Sequence, residues 1–160
     1  MAARAGMPFA AYLEAAVLEP LEMRETELSG SPAAGARGPL PDLLAFAGEL
    51  LAPRVLAAET LAEATAVAFP GLPGVLPGFG RQEPMDWGLG FELKDAKAPH
   101  WTGYRNSPGT FGHFGGSGTF LWADPDAGIA LACLADREFG DWAKAAWPAL
   151  SDAVLAELTR

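Results

Sequence analysis

The densest chemical capacity in this sequence lies in His113-Phe114-Gly115-Gly116-Ser117-Gly118-Thr119. An imidazole can donate, accept or carry charge near neutral pH. Glycines beside it at the start of a strand do one of two things. They form a bulge or close backbone approach, or they let a ligand touch the main chain. The adjacent His113 raises the second reading. Several nearby patterns fail as motifs. Gly115 to Thr119 is not a nucleophile elbow, because Thr119 stands at its last position and a strand follows instead of a helix. Gly88-Leu89-Gly90 is too short for a dinucleotide fingerprint. The two histidines, His100 and His113, have no carboxylate at ligand spacing, and the single cysteine, Cys133, excludes a Cys-rich zinc site and an internal disulfide. Cys133 sits in an apolar run as a small core residue, and no metal or cofactor is expected. Trp101 and Tyr104, beside His100, either wall a ligand site or pack on their own loop.

The elements that would position these residues follow from periodicity. Residues 1–68 are expected to be mainly helical. Phe9, Leu13, Ala16 and Val17 fit one buried helix face, after Pro8 and before Pro20. Residues 26–39 read as an exposed loop. A second helix starts near Pro41, with Leu40, Leu43, Leu44, Ala47 and Leu51 on one side and Asp42 in its first turn. A third runs from about Ala57 to Val67. Residues 69–110 hold loops and a first strand: a long Pro- and Gly-rich loop over 69–85, then Trp87, Leu89, Phe91 and Leu93 alternating at period two. Residues 111–135 form a strand hairpin. Its first strand runs from Phe111 to Asp124, its turn is Asp124-Pro125-Asp126-Ala127-Gly128, and Ile129 to Leu134 return. Residues 141–160 form a closing helix with Trp142, Ala146, Leu150, Val154 and Leu158 on one face, broken or restarted at Pro148. The order gives an α+β fold, an antiparallel sheet flanked by helices, with too few strands to close its edges.

Composition limits the partners. In 160 residues there are 20 Asp and Glu against 11 Lys and Arg, a net charge of −9, which disfavours nucleic acid and anionic membrane surfaces. The 19 Gly and 14 Pro cluster without a repeat, so collagen-like and low-complexity readings fail. No apolar run is long enough to span a bilayer. Pro8, Tyr12 and Glu14 interrupt any signal-peptide core, which implies a cytoplasmic product.

Four landmarks carry a resemblance. Pro20-Leu21-Glu22-Met23-Arg24-Glu25-Thr26 resembles the Pro-Leu-Gly-Met-x-x-Thr signature of the beta-lactamase-like serine hydrolases, which include class C beta-lactamases, penicillin-binding proteins and related esterases. Trp87-Gly88-Leu89-Gly90-Phe91 resembles the Gly-x-Gly strand after the helical region of that family. Gly112 to Gly118, continuing through Trp122-Ala123-Asp124-Pro125, resembles the strand that bears Lys-Thr-Gly, or His-x-Gly in the esterase-like branch. Ala130-Leu131-Ala132-Cys133-Leu134 matches the next strand. The order and spacing agree over nearly the whole chain.

The departures are as informative. No serine here has lysine three residues on, so the family's Ser-x-x-Lys nucleophile is absent, and Glu22 stands where the family has Gly. Tyr104-Arg105-Asn106 has the letters of Tyr-x-Asn but lies on the wrong side of the helical region. The resemblance therefore implies the C-terminal part of an incomplete beta-lactamase/transpeptidase-like fold, lacking the nucleophile, its base and two sheet strands. It implies that His113 takes the lysine's place in Lys-Thr-Gly and that Gly115 lets substrate lie against the strand. Gly116 N–H would be one oxyanion donor. Ser117, Trp101 and Tyr104 would contact a small ester or amide substrate. The expected alternative is a non-catalytic ligand-binding module of the same fold. The chain is also expected to associate with itself or with a missing N-terminal half.

Overall fold

Residues 2–159 are described by a computed structural model of the chain. Helix α1 (Ala2–Ala5) and helix α2 (Phe9–Leu13) lead into a π-helical stretch, Glu14–Leu18. Leu18, Leu21 and Met23 then bury against Leu13, Val17 and Phe46. Between them Glu22 holds φ +57°, a left-handed conformation that costs a β-carbon about 1–2 kcal/mol. This is the position at which the resemblance expects Gly, so the glycine signal is a backbone requirement that Glu22 meets under strain. The loop expected over 26–39 contains a small hairpin, β1 (Glu27–Leu28) with β2 (Ala36–Arg37).

Helix α3 (Leu40–Leu51) begins one residue before Pro41, near the expected start, and buries Ala47 and Leu50. Leu40 and Leu44 are exposed, so its inner face is rotated from the one expected. Asp42 lies on the buried side. Its carboxylate faces inward and accepts from Glu25 N–H (3.0 Å) and Thr26 Oγ1 (2.8 Å), closing the preceding loop. At the other end, buried Glu49 accepts the N–H groups of Arg54, Val55 and Leu56 at 2.8–3.0 Å, and the chain turns back there. Burial pushes the Glu49 carboxyl up, but these backbone donors outweigh it and hold it below the usual carboxylate range. Helix α4 (Ala58–Thr65) follows.

The irregular loop expected over 69–85 is instead organised around a hairpin, β3 (Gly74–Leu76) with β4 (Gly80–Gln82). Its turn buries Leu76 and Phe79, two apolar residues that the surrounding Pro and Gly obscured. The strand expected over Trp87–Leu93 shrinks to β5 (Glu92–Leu93). Residues before it make a tight turn, with Gly88 N–H bonded to Phe91 O at 2.9 Å. A β-carbon on Gly88 would overlap the Ala64 carbonyl of α4, so packing there overrides the period-two pattern.

The expected single strand over 111–124 is two: β6 (Phe111–Phe114) and β7 (Phe120–Asp124), joined by a turn through residues 115–119. With β8 (Ile129–Cys133) they form an antiparallel sheet in the order β5-β6-β7-β8. The 124–128 turn is as expected, with Asp124 accepting from Ser107 and from Ala127 N–H. Helix α5 (Asp141–Leu158) covers one sheet face. It buries Ala143, Trp147, Ser151 and Leu155, one position along from the expected stripe. Ser151 concealed the true stripe: it is polar yet fully buried, because Trp122 Nε1 donates to its Oγ at 3.0 Å. Pro148 lies within α5 without ending it.

Candidate active site

The site grows from the open end of β6. β5 pairs with Phe111 and Gly112 only, so His113 and Phe114 border open space beyond it. His113 is opposite Leu121 on the α3 face of the sheet, and Phe114 is opposite Phe120 on the α5 face. The exposed His113 ring meets the edge of Trp87 at 5.1 Å between centroids. Phe114 N–H donates to His113 Nδ1 at 2.8 Å. With Nδ1 accepting, the neutral ring carries its proton on Nε2, which makes the outer nitrogen a donor.

After Phe114 the chain turns back. Gly115 N–H donates to Thr119 O at 2.9 Å and Gly118 N–H to Gly115 O at 3.0 Å. Gly118 has φ +82°, and a β-carbon on it would overlap the Arg137 carbonyl. From the same neighbouring segment, Phe139 N–H donates to Gly116 O at 2.9 Å. Gly116 is exposed, and its N–H, in contrast, has no acceptor among the described residues. Ser117 Oγ and Thr119 Oγ1 are 3.0 Å apart and exposed to different degrees.

Two hollows meet at this turn. One is a cleft of about 500 Å³ lined by Val75, Met85, Trp87, His113, Gly116 and Phe139. The other is a groove of about 590 Å³ whose lining includes Thr26, Arg37, Leu43, Ser117 and Thr119. Gly116 borders the first and Ser117 the second.

The expected aromatic wall is not built as the sequence suggested. Trp101 is 1% exposed, and its Nε1 donates to Glu92 Oε2 at 2.6 Å, so it is core. Its indole packs against Phe114 and Phe120, under the site rather than in it. Tyr104 is 82% exposed and lines a separate small pocket with Lys94 and Thr102, away from His113. Asn106 is structural: its Oδ1 accepts from Gly103 N–H at 2.8 Å.

Sequence reasoning missed a buried charged cluster under β6. Glu92 accepts from His100 Nε2 at 2.8 Å and faces Lys97 Nζ at 3.2 Å, and Lys97 also donates to the Asp86 and Leu93 carbonyls. Burial pushes Glu92 up, yet His100, Lys97 and Trp101 together hold it below the usual range. Spacing along the chain hid the pairing, since His100 meets its carboxylate eight residues back across a loop. Among the described residues no group of three His, Cys, Asp or Glu is arranged to hold a metal.

An antiparallel meander with helices on both faces, and a glycine turn presenting a free N–H beside an imidazole, defines part of a beta-lactamase/transpeptidase-like fold. The family model for beta-lactamase matches residues 1–155, and the chain belongs to the beta-lactamase family. A beta-lactamase crystal structure from Mycobacterium bovis is 56% identical over 99% of this chain, with a TM-score of 0.95. The chain spans 60% of that protein's length. A mutant simvastatin synthase from Aspergillus terreus aligns over 96% of this chain and 52% of its own, at 14% identity and TM-score 0.68. A candidate beta-lactamase from Bacteroides dorei aligns over 98% of this chain and 53% of its own, at 17% identity and TM-score 0.69. The last two share the fold. No curated protein matches the sequence.

Proposed function

We propose that this chain carries the oxyanion-side part of a serine hydrolase site that cleaves esters or amides through an acyl-enzyme. The observation that carries this reading is exposed Gly116, whose N–H has no acceptor among the described residues, lining one cleft with His113. Such a donor is worth about 3–4 kcal/mol to a developing oxyanion. His113 Nε2–H would donate to the site's proton network or orient a substrate oxygen. An imidazole in place of a lysine removes a permanent cation, which favours neutral esters or amides over beta-lactam carboxylates. Ser117 would contact the substrate on the groove side.

The nucleophile and its base would come from residues outside this sequence, because no Ser here is followed by Lys at the third position. The chain alone is therefore expected to hydrolyse neither short acyl esters nor a chromogenic beta-lactam. Mass spectrometry after incubation with an activated ester tests this: an acyl adduct on Ser117 would overturn it. The same missing motif favours a second reading, a ligand-binding module without catalysis. Coding sequence upstream of Met1 separates the two, since an in-frame Ser-x-x-Lys and Tyr-x-Asn supports the hydrolase.

Strand β8 forms an outer edge of the sheet among the described residues, with exposed Leu134 just beyond it. That edge would pair with strands of an N-terminal half or with a second copy. A monomeric sedimentation profile at every concentration, with a sharp two-state melt, would exclude the need for either.

A further inference from the structure

We infer that the cleft beside His113 selects substrates with a short aliphatic group next to the reacting carbonyl. This rests on the hydrolase reading above and adds its substrate class. The cleft is walled by Val75, Leu76, Pro77, Met85, Trp87 and Phe139, and its polar neighbours are few, the Glu92 carboxylate being the one charged group among them. His113 and Gly116, whose N–H has no acceptor among the described residues, line the same cleft. Its about 500 Å³ falls within the usual size of ligand pockets, about 300–1,000 Å³, and its lining has their usual character, apolar walls with few convergent polar groups.

Apolar surface continues outward from the cleft. Val75 is 69% exposed, and Leu72 and Phe69, earlier in the same segment, are 58% and 70% exposed. Exposed apolar residues grouped along one segment mark a binding surface more often than single ones do. The groove across the turn differs: Thr26, Arg37, Ser117 and Thr119 put hydroxyls and a guanidinium in its wall. The Thr26 hydroxyl already donates to Asp42, and the Ser117 and Thr119 hydroxyls pair with each other. An aliphatic group in the groove would still cover the Arg37 guanidinium, whereas the cleft wall carries few polar groups to desolvate. With the carbonyl oxygen at Gly116 N–H, the chain attached to it therefore runs toward Val75 and Trp87.

The test titrates methyl acetate, methyl butanoate and methyl hexanoate into the 160-residue chain, followed by the amide signal of Gly116 and the indole N–H signal of Trp87 in nitrogen-15 NMR. Saturable shifts at both positions are expected, with affinity rising about threefold to fourfold per added methylene. Val75→Asp places a carboxylate in the wall at an exposed position and should weaken the hexanoate at least about tenfold. Val75→Ser repeats the test should the charged variant lose its dispersed spectrum. Shifts confined to Thr26, Ser117 and Thr119, shifts independent of chain length, or binding unaltered in both variants would each overturn the inference. Binding needs no nucleophile, so loss of binding leaves the hydrolase reading standing. A cleft that binds the hexanoate in a protein that never forms an acyl adduct, even with its N-terminal half present, sinks the hydrolase reading and keeps the cleft.

Discussion

The two faces of the sheet are packed by opposite means. On the α5 face, Trp101, Phe120, Trp122 and Trp147 fill the space with large rings. On the α3 face, Ala47, Ala123, Ala130 and Ala132 let the helix lie close on β7 and β8, with Leu50 and Phe111 beside them. The aromatic face gains its stability from volume and the alanine face from proximity. The candidate site grows from the first: Phe114 and Phe139, packed on that aromatic cluster, reach the cleft wall.

The sharpest way to break this contrast is at neighbouring residues of β7. Trp122 is fully buried among aromatic residues, so Trp122→Ala should cost about 3–5 kcal/mol through the cavity left. It also deprives buried Ser151 of its donor. Ala123, next along and equally buried, faces α3. Ala123→Leu should cost about 1–3 kcal/mol by overpacking, with no cavity. Urea unfolding measures both, and equal losses would mean that the two faces do not differ in kind.

Acid probes the same comparison through its carboxylates. Glu92 lies under the aromatic side and Glu49 at the end of α3, and both are held below their ordinary range. A depressed folded pKa gives stability that is present above the unfolded value and lost as pH falls through the folded one. Melting temperature should therefore fall between about pH 5 and 2, where carboxylates titrate. Glu92→Gln and Glu49→Gln should each flatten part of that decline while lowering stability at neutral pH. A decline unchanged in both variants would assign it to other carboxylates, among them Asp124, which is also held low: burial raises it, and its bonds from Ser107 and Ala127 outweigh burial.

The smallest effect lies outside both faces. Glu22→Gly relieves a left-handed backbone at an exposed side chain and should stabilise by about 1 kcal/mol. Thermal melts would show it, and a loss of stability would mean that the Glu22 side chain contributes more than its strain costs.

The parts of the fold legible in sequence were those governed by local rules. Pro41 and Asp42 marked the start of α3, and Asp124-Pro125 with Gly128 marked a turn that the structure contains. What failed depended on contacts distant in sequence. The inner stripe of α5 includes Ser151, whose burial follows from Trp122 on another strand. Trp87 and Leu89 alternate like a strand, but Gly88 is drawn against α4. At the site, His113 and the glycines were visible as residue types, whereas the fate of each N–H was not. The fate of Trp101 was equally hidden, because Glu92, the acceptor that buries it, reads in sequence as an outward strand position.

The 115–119 turn is clasped from outside itself. Gly116 O is held by Phe139 N–H, and Gly118 is pressed against Arg137. During vectorial synthesis the residues of β6 and β7 emerge well before that clasp. The strands can pair early, but the turn can reach its final form only once residues 137–139 have been made and have folded back. The site is thus closed late in synthesis: β6 and β7 are available to pair first, and the Gly116 turn is completed from a segment made afterwards.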